Sequence, residues 1–579
     1  MSTTDGDSGY VIPPRLWRWA GTRRAAACFL WLVALGTGAH HIWHARNWFN
    51  DRPVFAVPMR RADGNNGHSQ IDFGGQWVMG RMVVRGYGRE LYHRQRQWEV
   101  CRDGFQTRWE PPAVAEEYFL PRSKRKWFKP DDDIKHDADW MLYWFMGNDP
   151  PEWSKLGGAV ALPLAAPPGH PLSELALQHA SASAVTPELV AALKKPAIGG
   201  PLYPPVQGFL YAPLALDDDP QRAYAVFQYL SIVMVYLAAL GVKVLSRGRI
   251  WWSVASFVIL MYPGCRTGMD LAQNPMMSLA ILVWGWVLAS RGREWAGGMV
   301  WGLFVFKPVW GMAFFLVPLL TQRWRVCVAM VGTGALLAAA TLPFVGLQAW
   351  FDWLAVGKEA TAVYDVNKNW IHLSRDLQGI PRRMLMNFDL PEGERLTPPV
   401  RRLAWGLWAT VFVGTAALYM LRGNRRNTTG LGAAFLFLGA YMSCYRFMYY
   451  DVLLSAMVFA VLFADPRRFP QPRPIALLPT PPPAPSGPRW TGYVNSFPLT
   501  ILALLILVDS VGVGLRVEAT VGFGYFERVV PSGSSTGVVT PRVSGDTTTN
   551  YPLDAFLLLA LWVWCGWRLW RDGDEAKSA

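Results

Sequence analysis

Five places in this 579-residue chain put ionisable or polar side chains where chemistry is possible. The first is Asp72, within Gln70-Ile71-Asp72-Phe73-Gly74-Gly75-Gln76-Trp77. A carboxylate there suits a general base, and it equally suits an N-cap ahead of the amphipathic stretch that holds Trp77, Val78, Met82 and Val83. The second is Lys307, which with Pro308 interrupts a long apolar run. A lysine centred in apolar sequence either snorkels to an interface or serves a site. The third is the polar set Arg266, Asp270, Gln273 and Asn274 between two apolar runs, which could also be a solvated turn. The fourth is Arg446 with Asp451, among Tyr445, Tyr449 and Tyr450, where a salt bridge sealing a helical hairpin is the competing reading. The fifth is His372, in Asn367-Lys368-Asn369-Trp370-Ile371-His372-Leu373-Ser374-Arg375, an imidazole fit for acid–base work or for a structural role.

The elements that must position these groups are apolar. Hydrophobic residues make up 51% of the chain and charged residues 17%, against about 25% charged in soluble proteins. Apolar runs of membrane-spanning length recur from residue 25 to residue 570. The 30 tryptophans gather at the ends of such runs, as an interfacial belt requires. The pattern predicts an all-α polytopic membrane protein with about ten to twelve transmembrane segments and a large first outer loop. The net charge of +14 comes largely from arginines in short loops flanking apolar segments, a positive-inside distribution. It does not form a basic and aromatic stripe on a soluble domain, so nucleic acid is not an expected partner. The six cysteines show no CxxC or Cys/His cluster and read as small buried hydrophobes, with no metal site expected.

Arginine placement gives a topology. Arg15, Arg18, Arg23 and Arg24 hold the tail 1–24 in the cytoplasm, and the run 25–45 reads as a signal anchor, not a cleaved leader. The core 25–464 then contains outer loops 47–202 and 347–400. The Pro-rich basic stretch 465–495 is a cytoplasmic linker. The segment 496–579 adds further spans around an outer loop, 516–551, and Arg568 and Arg571 place the C-terminus inside. Residues 295–320 carry basic flanks at both ends, Arg291 and Arg293 before, Arg323 and Arg325 after. A single span would leave one cluster outside, so two short helices meeting at Lys307-Pro308 are expected, with the tip toward the outer side. All five places then lie on the outer side. Cations suited to phosphate and a separate carboxylate base fit group transfer from a lipid-phosphate donor. No Walker A, GxGxxG, HExxH or GxSxG elbow competes. Lys307 is expected to find its charge partner in that phosphate, with Arg266 close by.

An ordered series of motifs then resembles glycosyltransferase family 87, mannosyltransferases of the C-type superfamily that use polyprenyl-phosphate sugars. The series is Asp72-Phe73, Gly86-Tyr87-Gly88-Arg89-Glu90-Leu91-Tyr92, Leu202-Tyr203-Pro204-Pro205, Phe209-Leu210-Tyr211-Ala212-Pro213-Leu214, Gln273-Asn274-Pro275, Gly302-Leu303-Phe304-Val305-Phe306-Lys307-Pro308 and Tyr449-Tyr450-Asp451. The resemblance implies a C-type helical bundle in a bacterial cytoplasmic membrane, contributing to the cell envelope. It implies transfer of mannose or another hexose or pentose to a lipid or glycan acceptor on the non-cytoplasmic side. Asp72 matches the catalytic position. Lys307, Arg266 and Gln273 match positions toward the donor, and Asn274, Arg446, Asp451, His372 and Tyr203 complete the expected substrate-binding set. No cofactor is implied beyond the donor. The partners are the lipid-linked sugar, the acceptor and membrane lipids. Two departures stand out: a long insert between Tyr92 and Tyr203, and the linker with its extra C-terminal helices. A lipid-linked oligosaccharide polymerase or flippase is the alternative. A secondary transporter would call for repeated broken helices, and one broken hairpin is visible.

Overall fold

The computed structural model describes residues 20–49, 73–93, 201–366, 368–388, 392–425, 427–465, 496–509 and 552–578, with a few positions between 96 and 100, at 390, and in 530–539. Within them the chain is an all-α bundle, joined only by a two-residue antiparallel pair, Val530–Pro531 with Val538–Val539. In order the main helices are α1 (Ala20–Phe49), α2 (Gly75–Val84), α3 (Pro205–Tyr211), α4 (Pro220–Leu245), α5 (Trp252–Met261), α6 (Cys265–Asp270), α7 (Pro275–Ser290), α8 (Glu294–Gly302) and α9 (Pro308–Leu320). Then come α10 (Trp324–Val366), α11 (Lys368–Leu373), α12 (Gly379–Leu385), α13 (Pro398–Arg422), α14 (Leu431–Met442), a 3-10 segment Tyr449–Ser455 running into α15 (Ala456–Phe463), α16 (Ser496–Asp509) and α17 (Leu553–Ser578). Five are long and apolar enough to cross a membrane: α1, α4, α10, α13 and α17. Six shorter apolar helices pack among them. A helix of ten to sixteen residues rises only about 15–24 Å, short of a hydrocarbon core of about 30 Å. The short helices therefore leave irregular, polar backbone at one end, where longer neighbours shelter it.

The broken segment at Lys307-Pro308 takes the expected form. Residues 303–306 tighten into a 3-10 turn, and Lys307 leaves the helical region at φ −138° and ψ 71°, the extended bias of a residue before proline. Pro308 opens α9, where its missing N–H costs nothing. The two arms return to one level: Arg323 Nη1, just past α9, lies 3.2 Å from Glu294 Oε1 at the start of α8 and 2.8 Å from the Ala289 carbonyl. Gly298 and Gly302, one turn apart, let α8 lie close on α10, since a Cβ on Gly302 would sit 2.8 Å from the Met330 carbonyl. A second break falls in α10, at Gly346 (φ 71°, ψ 169°) three residues after Pro343. The second arm begins the segment expected as outer loop 347–400.

The two ends of the bundle differ in chemistry. At one end Arg249 reaches the Ala464 carbonyl, Arg291 the Val244 carbonyl, and Arg422 covers the Trp570 ring. The other end gathers buried ion pairs and polar networks. Between them lies a continuous apolar core in which Trp310 stacks on Tyr441 at 5.4 Å and Trp286 on Trp301 at 6.0 Å. Cys265, Cys327, Cys444 and Cys565 are buried and form no disulfide among the described residues, whereas Cys28 is exposed. The linker 466–495, most of the insert between Tyr92 and Tyr203, and most of 516–551 lie outside the described residues.

Candidate functional site

At the end opposite the arginine flanks, the stretch 262–275 is not a solvated turn. Gly264 adopts φ +84°, a left-handed conformation that suits glycine, and starts α6 close against the Tyr450 carbonyl. Asp270, Gln273 and Asn274 are 8%, 1% and 0% exposed. Each is held by another segment. His44 Nδ1 lies 2.9 Å from Asp270 Oδ1, tying α1 to α6. Tyr203 donates to Gln273 Oε1 at 2.6 Å. Asn274 donates to Gln76 Oε1 at 2.8 Å and accepts from the Tyr211 hydroxyl at 2.7 Å. Gln207 donates to the same Gln76 oxygen at 2.6 Å. This amide network locks α2, the first helix after Asp72, to α3 and to the start of α7. Asn274 thus ties α2 and α3 to the start of α7 through its own amide. Arg266, one turn before Asp270 on α6, is partly buried.

Asp72 itself lies outside the described residues, and with it both its base and its cap readings. Its neighbour Phe73 is buried against Tyr224 at 5.3 Å, and the Tyr224 hydroxyl donates to the Asp270 carbonyl at 2.8 Å. Phe73 is thus linked through Tyr224 to the backbone of α6 at Asp270. The helix begins at Gly75 with Gly74 before it and no side-chain cap among the described residues.

Lys307 and Asp451 find partners that sequence proximity did not suggest. Lys307 Nζ is 2.6 Å from Asp451 Oδ1, and its ammonium lies 5.3 Å from the Tyr450 ring centre. Their side chains are 12% and 2% exposed. Lys307 is therefore paired within the protein before any donor arrives, and Asp451 is not the partner of Arg446. The 3-10 segment turns Asp451 inward, whereas Arg446 points the other way, to Asp365.

Around Arg446 lies a cluster that the sequence hides. Arg382 Nη1 meets the same Asp365 Oδ1 at 2.8 Å. Arg375 Nε meets Asp554 Oδ2 at 2.9 Å. Asp376 Oδ1 accepts the Gly379 amide at 2.8 Å, and Arg383 caps the carbonyls of Ile371, His372 and Ser374 at 2.7–3.0 Å. The loop carrying them is pinned to the 446–448 turn by a Ser374–Met448 bridge and by the Arg375 amide on the Phe447 carbonyl at 3.0 Å. Burial raises the Asp376 carboxyl despite nearby Arg446, Arg382 and Arg383. Burial first, then Arg375, lowers Arg383 to about 9. Four guanidiniums here face three carboxylates, and the buried Nε atoms of Arg382, Arg383 and Arg446 have no hydrogen-bond partner among the described residues. Such a group holds an excess positive charge and spare donors suited to an anion. His372, 8% exposed, stands edge-on to Phe388 at 5.3 Å on the same loop.

The predicted residues thus fall at one end of the bundle in three adjoining groups: the amide network of Tyr203, Gln273 and Asn274; the Lys307–Asp451 pair; and the arginine cluster with Arg446 and His372. Sequence spacing does not single out Arg375, Asp376, Arg382, Arg383, Asp365, Asp554, His44, Gln76, Gln207 or Tyr211 as site residues. No group of three or more metal-ligating side chains occurs among the described residues.

An all-α, multi-span bundle with buried ion pairs and an amide network at one end defines a polytopic membrane protein. Residues 202–468 match the sequence profile of glycosyltransferase family 87. That match covers the central segment of the chain, from just before α3 to just past α15. Over 72 residues the chain is 39% identical to the alpha-(1->3)-arabinofuranosyltransferase of Mycobacterium tuberculosis, in strain CDC 1551 / Oshkosh and equally in strain ATCC 25618 / H37Rv. The aligned stretch is 12% of this chain and 16% of the relative, so the chain matches only a small part of that protein's length. No solved structure matches it.

Proposed function

We propose that the protein transfers a hexose or pentose, mannose or arabinofuranose among them, from a polyprenyl-phosphate donor to a lipid or glycan acceptor at the non-cytoplasmic face. The observation that carries the reading is the gathering of Lys307 and the Arg375–Arg382–Arg383–Arg446 cluster at the end of the bundle opposite the basic flanks. In the proposed reaction the acceptor hydroxyl oxygen attacks the anomeric carbon, the bond from that carbon to the donor phosphate oxygen breaks, and polyprenyl phosphate leaves with the bonding pair. Asp72 takes the hydroxyl proton. The departing phosphate gains negative charge, so cations that tighten on it in the transition state lower the barrier.

Lys307 serves the phosphate from its place beside Asp451, which fixes the ammonium at the tip of the hairpin. The arginine cluster, with its spare Nε donors, supplies the second set of contacts. The amide network of Gln76, Gln207 and Asn274 keeps α2, and so the chain next to Asp72, at a fixed depth relative to the α6–α7 turn. The outward face follows from the arginines at the opposite end, which the positive-inside rule puts in the cytoplasm. Membranes containing the protein, offered the same labelled sugar as polyprenyl phosphate or as sugar nucleotide, test the donor class. Transfer from the lipid donor alone supports it, and transfer from the nucleotide in the absence of polyprenyl phosphate overturns it.

A further inference from the structure

We propose that Asp554, in the first turn of the last helix, is a positioning residue for the donor end of the site, acting through Arg375. The inference rests on the reading above for what the site binds. The segment that matches family 87 ends at residue 468, yet the structure builds a residue from far beyond it into the loop that carries His372. Arg375 and Asp554 are 179 residues apart in sequence, and both are buried.

The geometry makes this pair a clamp. Asp554 Oδ1 accepts the Ala555 amide at 2.9 Å, which fixes the carboxylate at the N-terminus of α17. Oδ2 accepts Arg375 Nε at 2.9 Å. Arg375 Nη1 donates to the carbonyls of His372 and Ser374, both at 3.0 Å, so the guanidinium folds its own loop around the point that Asp554 holds. The Arg375 amide bonds to the Phe447 carbonyl, and Ser374 bridges to Met448. Three residues past Met448 lies Asp451, the partner of Lys307. One chain of contacts thus runs from α17 through the His372 loop to the hairpin tip. A carboxylate at a helix N-terminus is also favoured by the helix dipole, so the anchor is stiff.

The test uses full-length protein in nanodiscs, with Asp554→Asn and Asp554→Glu. Asparagine keeps the shape and removes the charge; glutamate keeps the charge. Hydrogen exchange read by mass spectrometry reports on the 371–379 amides with no reference to activity. Kinetics with polyprenyl-phosphate sugar report on the donor. In Asp554→Asn the 371–379 amides are expected to exchange at least tenfold faster while those of Leu431–Met442 stay protected. The donor KM is expected to rise about tenfold with kcat within threefold, the pattern of lost ground-state binding. Asp554→Glu restores most of both. Unchanged exchange at 371–379 overturns the clamp. Faster exchange with an unchanged donor KM in an active enzyme overturns the positioning role. If the wild-type protein does not use a polyprenyl-phosphate sugar at all, the functional reading falls, and the exchange result alone decides the clamp.

Discussion

Lys307→Met removes the ammonium and keeps an unbranched apolar stem, and its first consequence is on Asp451. That carboxylate is 2% exposed and has lost its partner at 2.6 Å. Breaking a buried pair from one side costs about 3–5 kcal/mol, because a charge is stranded in a medium that solvates it poorly. The variant is therefore expected to unfold more easily even without donor, which goes beyond a lysine waiting for a phosphate. The double variant Lys307→Met/Asp451→Leu removes both charges and fills similar volume, and such replacements are often neutral. It is expected to recover most of the lost stability and none of the donor affinity. Titrating detergent-solubilised protein with SDS and following tryptophan emission reads both effects. Lys307→Arg is expected to be intermediate, since a planar guanidinium fits the space of a compact ammonium poorly. The reasoning fails if Lys307→Met matches the wild type within about 0.5 kcal/mol, or if the double variant is no more stable than the single one.

Asp72→Asn is expected to keep expression and stability while lowering turnover about 10²–10⁴-fold, the usual contribution of a general base; near-normal turnover on an equal-protein basis returns Asp72 to a capping role. Gln76→Ala strands the amide donors of Gln207 and Asn274, both fully buried, and is expected to cost about 1–3 kcal/mol for each unsatisfied donor in the same SDS titration. On a cysteine-free background, Glu394→Cys is expected to react with an impermeant maleimide in intact cells and Thr480→Cys only after lysis; the reverse pattern inverts the topology.

Much of the architecture was legible because it is written in local signals. Apolar runs and their arginine flanks gave the spans, and conflicting flanks around 295–320 gave the broken hairpin, which Arg323 and Glu294 close. Gly346 divides α10 where the outer loop was expected to begin. The site was legible only in part. The polar set at 262–275 was found, but its partners Gln76, Gln207 and Tyr211 lie on other helices and carry no spacing signal. Arg446 and Asp451 are near enough in sequence to suggest a salt bridge, yet the 3-10 segment between Met448 and Ala456 turns them apart. Arg375 with Asp554, and Arg446 with Asp365, meet across 179 and 81 residues, distances at which one sequence offers no pairing rule.

The central claim is transfer of a sugar from a lipid phosphate, and stoichiometry tests it most directly. Purified protein in nanodiscs is given a polyprenyl-phosphate sugar labelled in the sugar, with a lipid acceptor extract, and both products are counted. The account predicts one polyprenyl phosphate released for each labelled sugar joined to acceptor, and loss of both in Asp72→Asn. Label that stays on the donor, or in sealed vesicles crosses the bilayer still attached to it, would contradict the account and point to a flippase.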